Sequence, residues 1–223
     1  VIIWPEAAVP AVRQNVSTFI KKHDAMYILS GNTLITGIPT FNSANGSYHN
    51  SVISIGGTPG QYNKTKLVPF GEYVPGESLL RGIIKFFNLP MSNFSPGLTD
   101  QKPLEINGHS VSTAICYEVV YPDLVAQKSR DASMLLTVSN DAWFGDSLAL
   151  PQHLQMAQMR ALENSKPMLR ATNNGLTAFI DYQGSLTSAL PPFEEGELVG
   201  NIQPRTGQTP FTIWGSWPCI ILC

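Results

Sequence analysis

Apolar positions recur along this chain in two periods, and the switches between them divide it into elements. Residues 1–4 are uniformly apolar and read as a buried strand that runs into Pro5-Glu6. Val12, Val16, Phe19 and Ile20 then recur at helical spacing, with Gln14, Lys21 and Lys22 opposite. Residues 32–38 return to strand character. Residues 42–48 carry the Asn, Ser and Gly of a turn, and 51–55 supply the partner strand, closed by Gly56-Gly57. Over 78–89, Leu79, Leu80, Ile83 and Phe87 line one face of an expected helix, with Arg81, Lys85 and Asn88 on the other. Such a helix either faces a core or rests in a membrane interface. A turn at 105–108 leads into a strictly alternating stretch. Val111, Thr113 and Ile115 face one way; Ser112, Ala114 and Cys116 face the other. Pro122 suits the first turn of a helix just beyond. Residues 134–138 form another buried strand. Leu150, Leu154, Ala157 and Ala161 stripe a helix that opens at Pro151 and stops before Pro167. Strands at 168–172 and 176–181 follow, with Gln183-Gly184 as a hairpin-like turn. Strands and helices alternate throughout, so the expected class is α/β.

Composition narrows the partners. The chain has 223 residues, enough for one large domain or two small ones, and no repeat or long linker divides it. Charged residues make up only 13%, the net charge is −2, and no Lys/Arg cluster exists, so nucleic acid is not an expected partner. Three cysteines are too few for a disulfide framework. No uninterrupted apolar run is long enough to span a bilayer. Both ends nevertheless look cut. The first residues already lie in a strand. The last ten hold Trp214 and Trp217 ahead of an uncharged apolar run, which reads as an aromatic belt leading into a membrane helix or as a hydrophobic terminal strand.

Chemistry collects at the strand ends. Cys116 falls where a strand turns into a helix, a place where backbone N–H groups favour a thiolate and an oxyanion. The bland alternative is a buried structural cysteine. Glu6 follows an apolar strand directly and is either a general base or a carboxylate in the first turn of the next helix. The loop over 62–75 holds Lys64, Lys66 and Glu72 between prolines and aromatics, so Lys64 either serves an oxyanion or is one more solvated lysine. The strand over 134–138 ends in Ser139-Asn140-Asp141-Ala142-Trp143-Phe144-Gly145, at the edge where α/β sites are usually built. None of the four histidines (His23, His49, His109, His153) recurs in a strand-end motif, although spatial approach stays open. No residue group has metal-ligand spacing, and neither metal nor cofactor is expected.

Glu6 after Trp-Pro, Lys64 in Tyr-Asn-Lys and Cys116 in Ile-Cys-Tyr-Glu resemble the Glu–Lys–Cys triad of the nitrilase superfamily. Five strings, Ile-Trp-Pro-Glu-Ala-Ala (3–8), Leu-Val-Pro-Phe-Gly-Glu (67–72), Ile-Cys-Tyr-Glu (115–118), Ser-Asn-Asp-Ala-Trp-Phe-Gly (139–145) and Thr-Asn-Asn-Gly (172–175), are similar to those of the apolipoprotein N-acyltransferase family. The resemblance implies a four-layer αββα sandwich over 1–218, with 219–223 as the start of a truncated membrane helix. It implies a monomer in a Gram-negative inner membrane with this domain facing the periplasm. It implies a ping-pong reaction in which Cys116 takes an acyl chain from a phospholipid, typically phosphatidylethanolamine. The thioester would then acylate the amino group of a diacylglyceryl-cysteine on an apolipoprotein. Glu6 would be the base and Lys64 the oxyanion partner, joined by the Tyr117 N–H. Glu72, Glu118 and Tyr117 would support them, and Trp4, Phe70, Asn140 and Trp143 would meet substrate. The resemblance also draws the 78–89 helix towards the membrane surface. Two other readings compete: a soluble nitrilase-type amidase, which needs a narrow polar pocket rather than a long apolar groove, and a catalytically silent binding domain.

Overall fold

The computed structural model describes residues 1–73 and 94–223. The helix expected over 78–89 lies outside the described residues, as does the end of the loop at 74–75.

Two sheets face one another. The first has the order β1 (Ile2–Ile3), β2 (Leu34–Asn42), β3 (Ser47–Ile55), β4 (Gly60–Asn63). The second comprises β5 (Leu104–Ile106), β6 (His109–Ile115), β7 (Met134–Asn140), β8 (Met168–Asn173), β9 (Ala178–Ile180) and β10 (Leu186–Ala189), in the order β10-β9-β8-β7-β6-β5. Strands β6, β7 and β8 run parallel at its centre and the outer pairs are antiparallel. Among the described residues three helices cover the outsides. α1 (Ser17–Ser30) lies on the first sheet; α2 (Pro122–Ser129) and α3 (Ala149–Asn164) lie on the second.

The period-two pattern builds these layers. Ile35 and Val52 of the first sheet meet Val111, Ile115, Leu136 and Val138 of the second in one apolar cluster. The neighbouring positions point outward. Leu34, Ile38, Ile53 and Ile55 pack with Tyr27 of α1, while Ala114, Leu135 and Met168 pack with Leu154, Ala157 and Ala161 of α3. Alternating faces of each strand thus bury against different partners, which gives the α, β, β, α order of layers.

Several expected boundaries move. The first strand is two residues long and sits at a sheet edge, with Val1 and Ile2 exposed rather than buried, because it has a neighbour on one side only. Tyr62 and Asn63 belong to β4, not to a loop. The turn before the cysteine strand shrinks to Asn107 and Gly108, since Leu104–Ile106 pairs with β6. α1 buries only Tyr27 fully, with Val16 and Ile20 packed beneath it, and leaves Phe19 exposed. Near the end, α4 (Pro210–Trp214) packs on α2 and α3. The final apolar run is helical, not extended: α5 (Trp217–Leu222) exposes Trp217, Ile220, Ile221 and Leu222. Among the described residues no helix is long and apolar enough to cross a membrane.

Candidate active site

The C-terminal ends of β1, β4, β6 and β7 converge on one side of the sandwich, and the expected chemistry converges with them. Glu6 follows β1 in a segment that continues along β2: the Gly37 N–H donates to the Pro5 carbonyl at 3.2 Å, and the Val9 N–H to the Gly37 carbonyl at 3.2 Å. A Cβ on Gly37 would lie 2.4 Å from the Ala7 nitrogen and 2.6 Å from the Glu6 Cα, so only glycine admits this approach. Lys64 follows β4, and its backbone is tied on both sides, N–H to the Asn50 carbonyl and carbonyl to the Gly97 N–H, each at 2.8 Å. Cys116 follows β6 at a φ of 51°, the left-handed region that costs a non-glycine residue strain. The chain then enters a short 3-10 turn (Cys116–Val120) and α2. This is the sharp strand-to-helix bend that presents a nucleophile.

The three residues approach one another. Glu6 is 6% exposed and Lys64 only 1%, so the solvated-lysine alternative does not hold. Lys64 Nζ lies 3.5 Å from Glu6 Oε1 and 2.9 Å from Glu72 Oε2. The Asn50 side-chain amide donates to both carboxylates, at 2.7 Å to Glu6 and 2.8 Å to Glu72. The Asn140 N–H donates to Glu6 Oε2 at 2.7 Å, and the Asn173 amide to the Glu6 carbonyl at 2.9 Å. Glu72 closes its own loop by accepting from the Val68 N–H at 2.9 Å. Every carboxylate oxygen of Glu6 is therefore aimed before any substrate arrives.

Charge follows from this packing. Burial alone would lower the Lys64 pKa, but the neighbouring Glu6 and Glu72 carboxylates outweigh it and hold the ammonium charged. Burial pushes the Cys116 thiol up to about 12, and the Glu6 charge adds to this, while Lys64 and Ser139 act against both. A thiol held this high can act as a nucleophile only with a base beside it.

Glu118 serves the frame. It is fully buried and accepts from the Ile115 N–H at 2.8 Å, the Thr65 N–H and hydroxyl at 2.7 Å each, and the Tyr62 hydroxyl at 2.7 Å. It thereby ties the strand before Cys116 to the residues beside Lys64. Burial and the Glu118 charge hold the Tyr62 phenol well above its ordinary value, so it remains a donor.

A cavity of about 460 Å³ opens from this cluster. Its floor carries Glu6, Lys64, Glu72 and Cys116, and its outer wall is apolar, with Val68, Val120, Trp143, Phe144 and Met156. Tyr117 and Asn140 also line it. Trp4 and Phe70 do not. Trp4 packs against the outer cluster under α1, and Phe70 projects into solvent at a φ of 62°. Among the described residues no group of three His, Cys, Asp or Glu could hold a metal ion.

Asn50, Asn173 and His153 complete the cluster without having been singled out as site residues. His153 is 5% exposed, lines the cavity and contacts Asp141 and the Cys116 carbonyl. Asn50 had a legible signal, a polar residue two positions before Val52 on the strand face that otherwise enters the inter-sheet core. Asn173 had one too, as part of the Thr-Asn-Asn-Gly string (172–175) at a strand end, whereas His153 had none.

A cysteine at a strained bend between two facing sheets, beneath an apolar cleft, defines an αββα sandwich of the nitrilase type. Solved nitrilase-type structures share the fold. A carbon-nitrogen hydrolase from Helicobacter pylori superposes with a TM-score of 0.59 at 17% identity, over 82% of this chain and 65% of that one. An amidase of the nitrilase superfamily from Nesterenkonia gives 0.61 at 20% identity, over 85% and 72%. The chain belongs to the carbon-nitrogen hydrolase family, whose profile matches residues 1–211. Within that family it is similar to the apolipoprotein N-acyltransferase of Pseudomonas syringae pv. tomato, 48% identical over all of this chain and 44% of the relative. That of Vibrio cholerae is 45% identical over 98% of this chain and 45% of the relative. The chain thus spans a little under half the length of these curated relatives.

Proposed function

We propose that this domain carries the chemistry of an apolipoprotein N-acyltransferase, with Cys116 as nucleophile, Glu6 as base and Lys64 as oxyanion partner. The observation that carries the reading is the cavity: a polar floor of Cys116, Glu6 and Lys64 beneath an apolar wall. A small-amide hydrolase has no use for that wall, whereas an acyl chain does. The similarity to the acyltransferases, far above that to the amidase, supports the same choice.

In this reading the Glu6 carboxylate takes the thiol proton and the sulfur attacks the ester carbonyl of a phospholipid. The Lys64 ammonium and the Tyr117 N–H stabilise the oxyanion. The intermediate collapses to a thioester, and the lysophospholipid alkoxide leaves with the proton from Glu6. The amino group of a diacylglyceryl-cysteine then attacks the thioester. Its proton passes to Glu6, the amide forms, and the sulfur leaves and takes that proton back from Glu6, restoring the thiol and the carboxylate. Glu72 and Asn50 hold Lys64 and Glu6 apart at working distance. Trp143, 74% exposed, and Phe144 extend the apolar wall to the surface, where a lipid chain would enter from an inner membrane whose periplasmic side this domain faces.

Intact-mass spectrometry after incubation with phosphatidylethanolamine in detergent micelles tests this. A mass gain of one acyl chain, labile to hydroxylamine and absent from Cys116→Ala, is expected. A protein carrying its native flanking sequence that gains no mass from phospholipid, yet hydrolyses a small amide, would overturn the acyltransferase reading.

A further inference from the structure

His153 has no part in the steps above, yet its position is unusual. It comes from α3, an outer helix, and reaches past the second sheet to the nucleophile's own backbone. Its Nε2 lies 3.2 Å from the Cys116 carbonyl oxygen. Its Nδ1 lies 3.1 Å from Asp141 Oδ1 and 3.1 Å from Arg170 Nη2. Arg170 in turn donates to Asp141 Oδ2 at 2.6 Å. All three side chains are buried. Burial would raise the Asp141 pKa, but the His153 contact and the charge of Arg170 hold it low. The ring orientation is therefore set by a buried ion pair, itself fixed by the Ser139 hydroxyl donating to Asp141 and by Arg170 Nε donating to the Leu176 carbonyl.

The geometry selects the tautomer. A carbonyl oxygen can only accept, so Nε2 must carry a proton to bond Cys116. The opposite tautomer would set two lone pairs against each other. Nδ1 then accepts from Arg170 or, when protonated, donates to Asp141, and the bond to Cys116 survives either way.

We infer that His153 is a positioning residue for acyl transfer: it grips the Cys116–Tyr117 peptide and aims the Tyr117 N–H at the oxyanion. A trans peptide is planar, with its carbonyl and N–H antiparallel. Fixing the carbonyl on one side fixes the N–H on the other. That N–H lies in the first turn of the segment Cys116–Val120, where it has no acceptor within the turn. Cys116 needs such a grip because its backbone sits in the left-handed region, and strain of that kind persists only where surrounding bonds over-determine it. This inference rests on Cys116 being the nucleophile of the proposed reaction. It does not depend on which acyl donor is the natural one.

The test separates two reactions of one sulfur. Acylation by p-nitrophenyl butyrate passes through an oxyanion; alkylation by iodoacetamide does not. Both are read at Cys116 by peptide mass spectrometry, in the protein with its native flanking sequence. His153→Phe keeps the bulk and loses the donor. It should slow acylation about 10- to 100-fold, below the loss typical for deleting an oxyanion donor outright. Its alkylation rate and the pH dependence of that rate should match the wild type. His153→Gln places an amide N–H the same number of bonds from Cβ and should restore acylation to within about fivefold of wild type. If Phe and Gln behave alike, or if Phe slows alkylation as much as acylation, His153 is only a packing residue and the inference falls. A wild-type protein that is alkylated but never acylated at Cys116 would overturn both this inference and the nucleophile on which it rests.

Discussion

The Cys116 thiol and the Glu6 carboxylate oppose each other electrostatically, although the proposed reaction has them cooperate. Glu6 helps push the thiol up to about 12, while Lys64 pulls it down. Replacing Glu6 by Gln removes the negative charge and leaves Lys64 in place, so the thiol pKa should fall. The variant then ionises more readily and still fails to acylate, because the group that accepts the proton in the transition state is gone. Ultraviolet titration of thiolate absorbance, corrected with the matching Cys116→Ala protein, reads the first effect; acyl-enzyme formation reads the second. A thiol pKa unchanged or raised in Glu6→Gln would contradict the geometry described for Glu6, Lys64 and Cys116. Asn50 belongs to the same scale. One side-chain amide donates to both Glu6 and Glu72, and so keeps two carboxylates at fixed positions around a single ammonium.

At the scale of elements, the site depends on how closely the segment after β1 lies on β2. Gly37 makes that approach possible, since any Cβ there would overlap backbone atoms of Pro5, Glu6 and Ala7. Backbone cannot yield as a side-chain tip can. Gly37→Ala should displace Glu6 and lower acylation about 100-fold, the scale expected for misplacing a reacting group by an ångström. Thiol alkylation at high pH, which needs no base, should remain. A variant with wild-type acylation kinetics would show that Glu6 does not depend on this contact. The element scale is also where sequence patterns proved most informative. Alternation over 111–115 correctly divides β6 into a face towards the other sheet and a face towards α2 and α3, but Cys116, expected beside Ser112 and Ala114, packs against the inter-sheet cluster because its left-handed backbone breaks the strand's alternation. The stripe of Leu150, Leu154, Ala157 and Ala161 is the buried face of α3. Short edge strands were less legible. β1 was read as a strand but as a longer, buried one; β5 is three residues long, too short for a period to register, and β4 was hidden by the polar residues that lead into Lys64.

Across the whole molecule, two sheets must hold a fixed spacing for Lys64 of one to meet Cys116 of the other. The apolar cluster between them sets the distance, but apolar contact is not directional. Glu118 supplies direction. It accepts hydrogen bonds from Ile115, on the Cys116 side, and from Tyr62 and Thr65, on the Lys64 side. Glu118→Gln turns one accepting oxygen into a donor facing these donors. It should cost at least about 2 kcal/mol, since buried donors lose a charged acceptor. Acylation should fall with it, although Glu118 lines no part of the cavity. Chemical denaturation with and without the substitution reads the stability. A midpoint unchanged from wild type would remove Glu118 from its place as the inter-sheet clamp.

What the amino-acid sequence determined on its own was local: where apolar periods switch, which strand ends carry Glu6, Cys116 and Asn140, and that the loop bearing Lys64 and Glu72 is restrained. Five ordered strings also pointed to the family. These are legible because periodicity and turn chemistry act over a few residues. Tertiary structure alone decided the rest. It buried Lys64 and aimed one amide of Asn50 at two carboxylates. It brought Asn173 to Glu6 and His153 from an outer helix to the Cys116 carbonyl, and it moved Trp4 away from the cavity into the cluster under α1. The contacts of Asn173 and His153 join residues 167 and 37 positions apart. No local pattern encodes such distances; they exist only once two sheets have packed and fixed the directions in which their strand ends point.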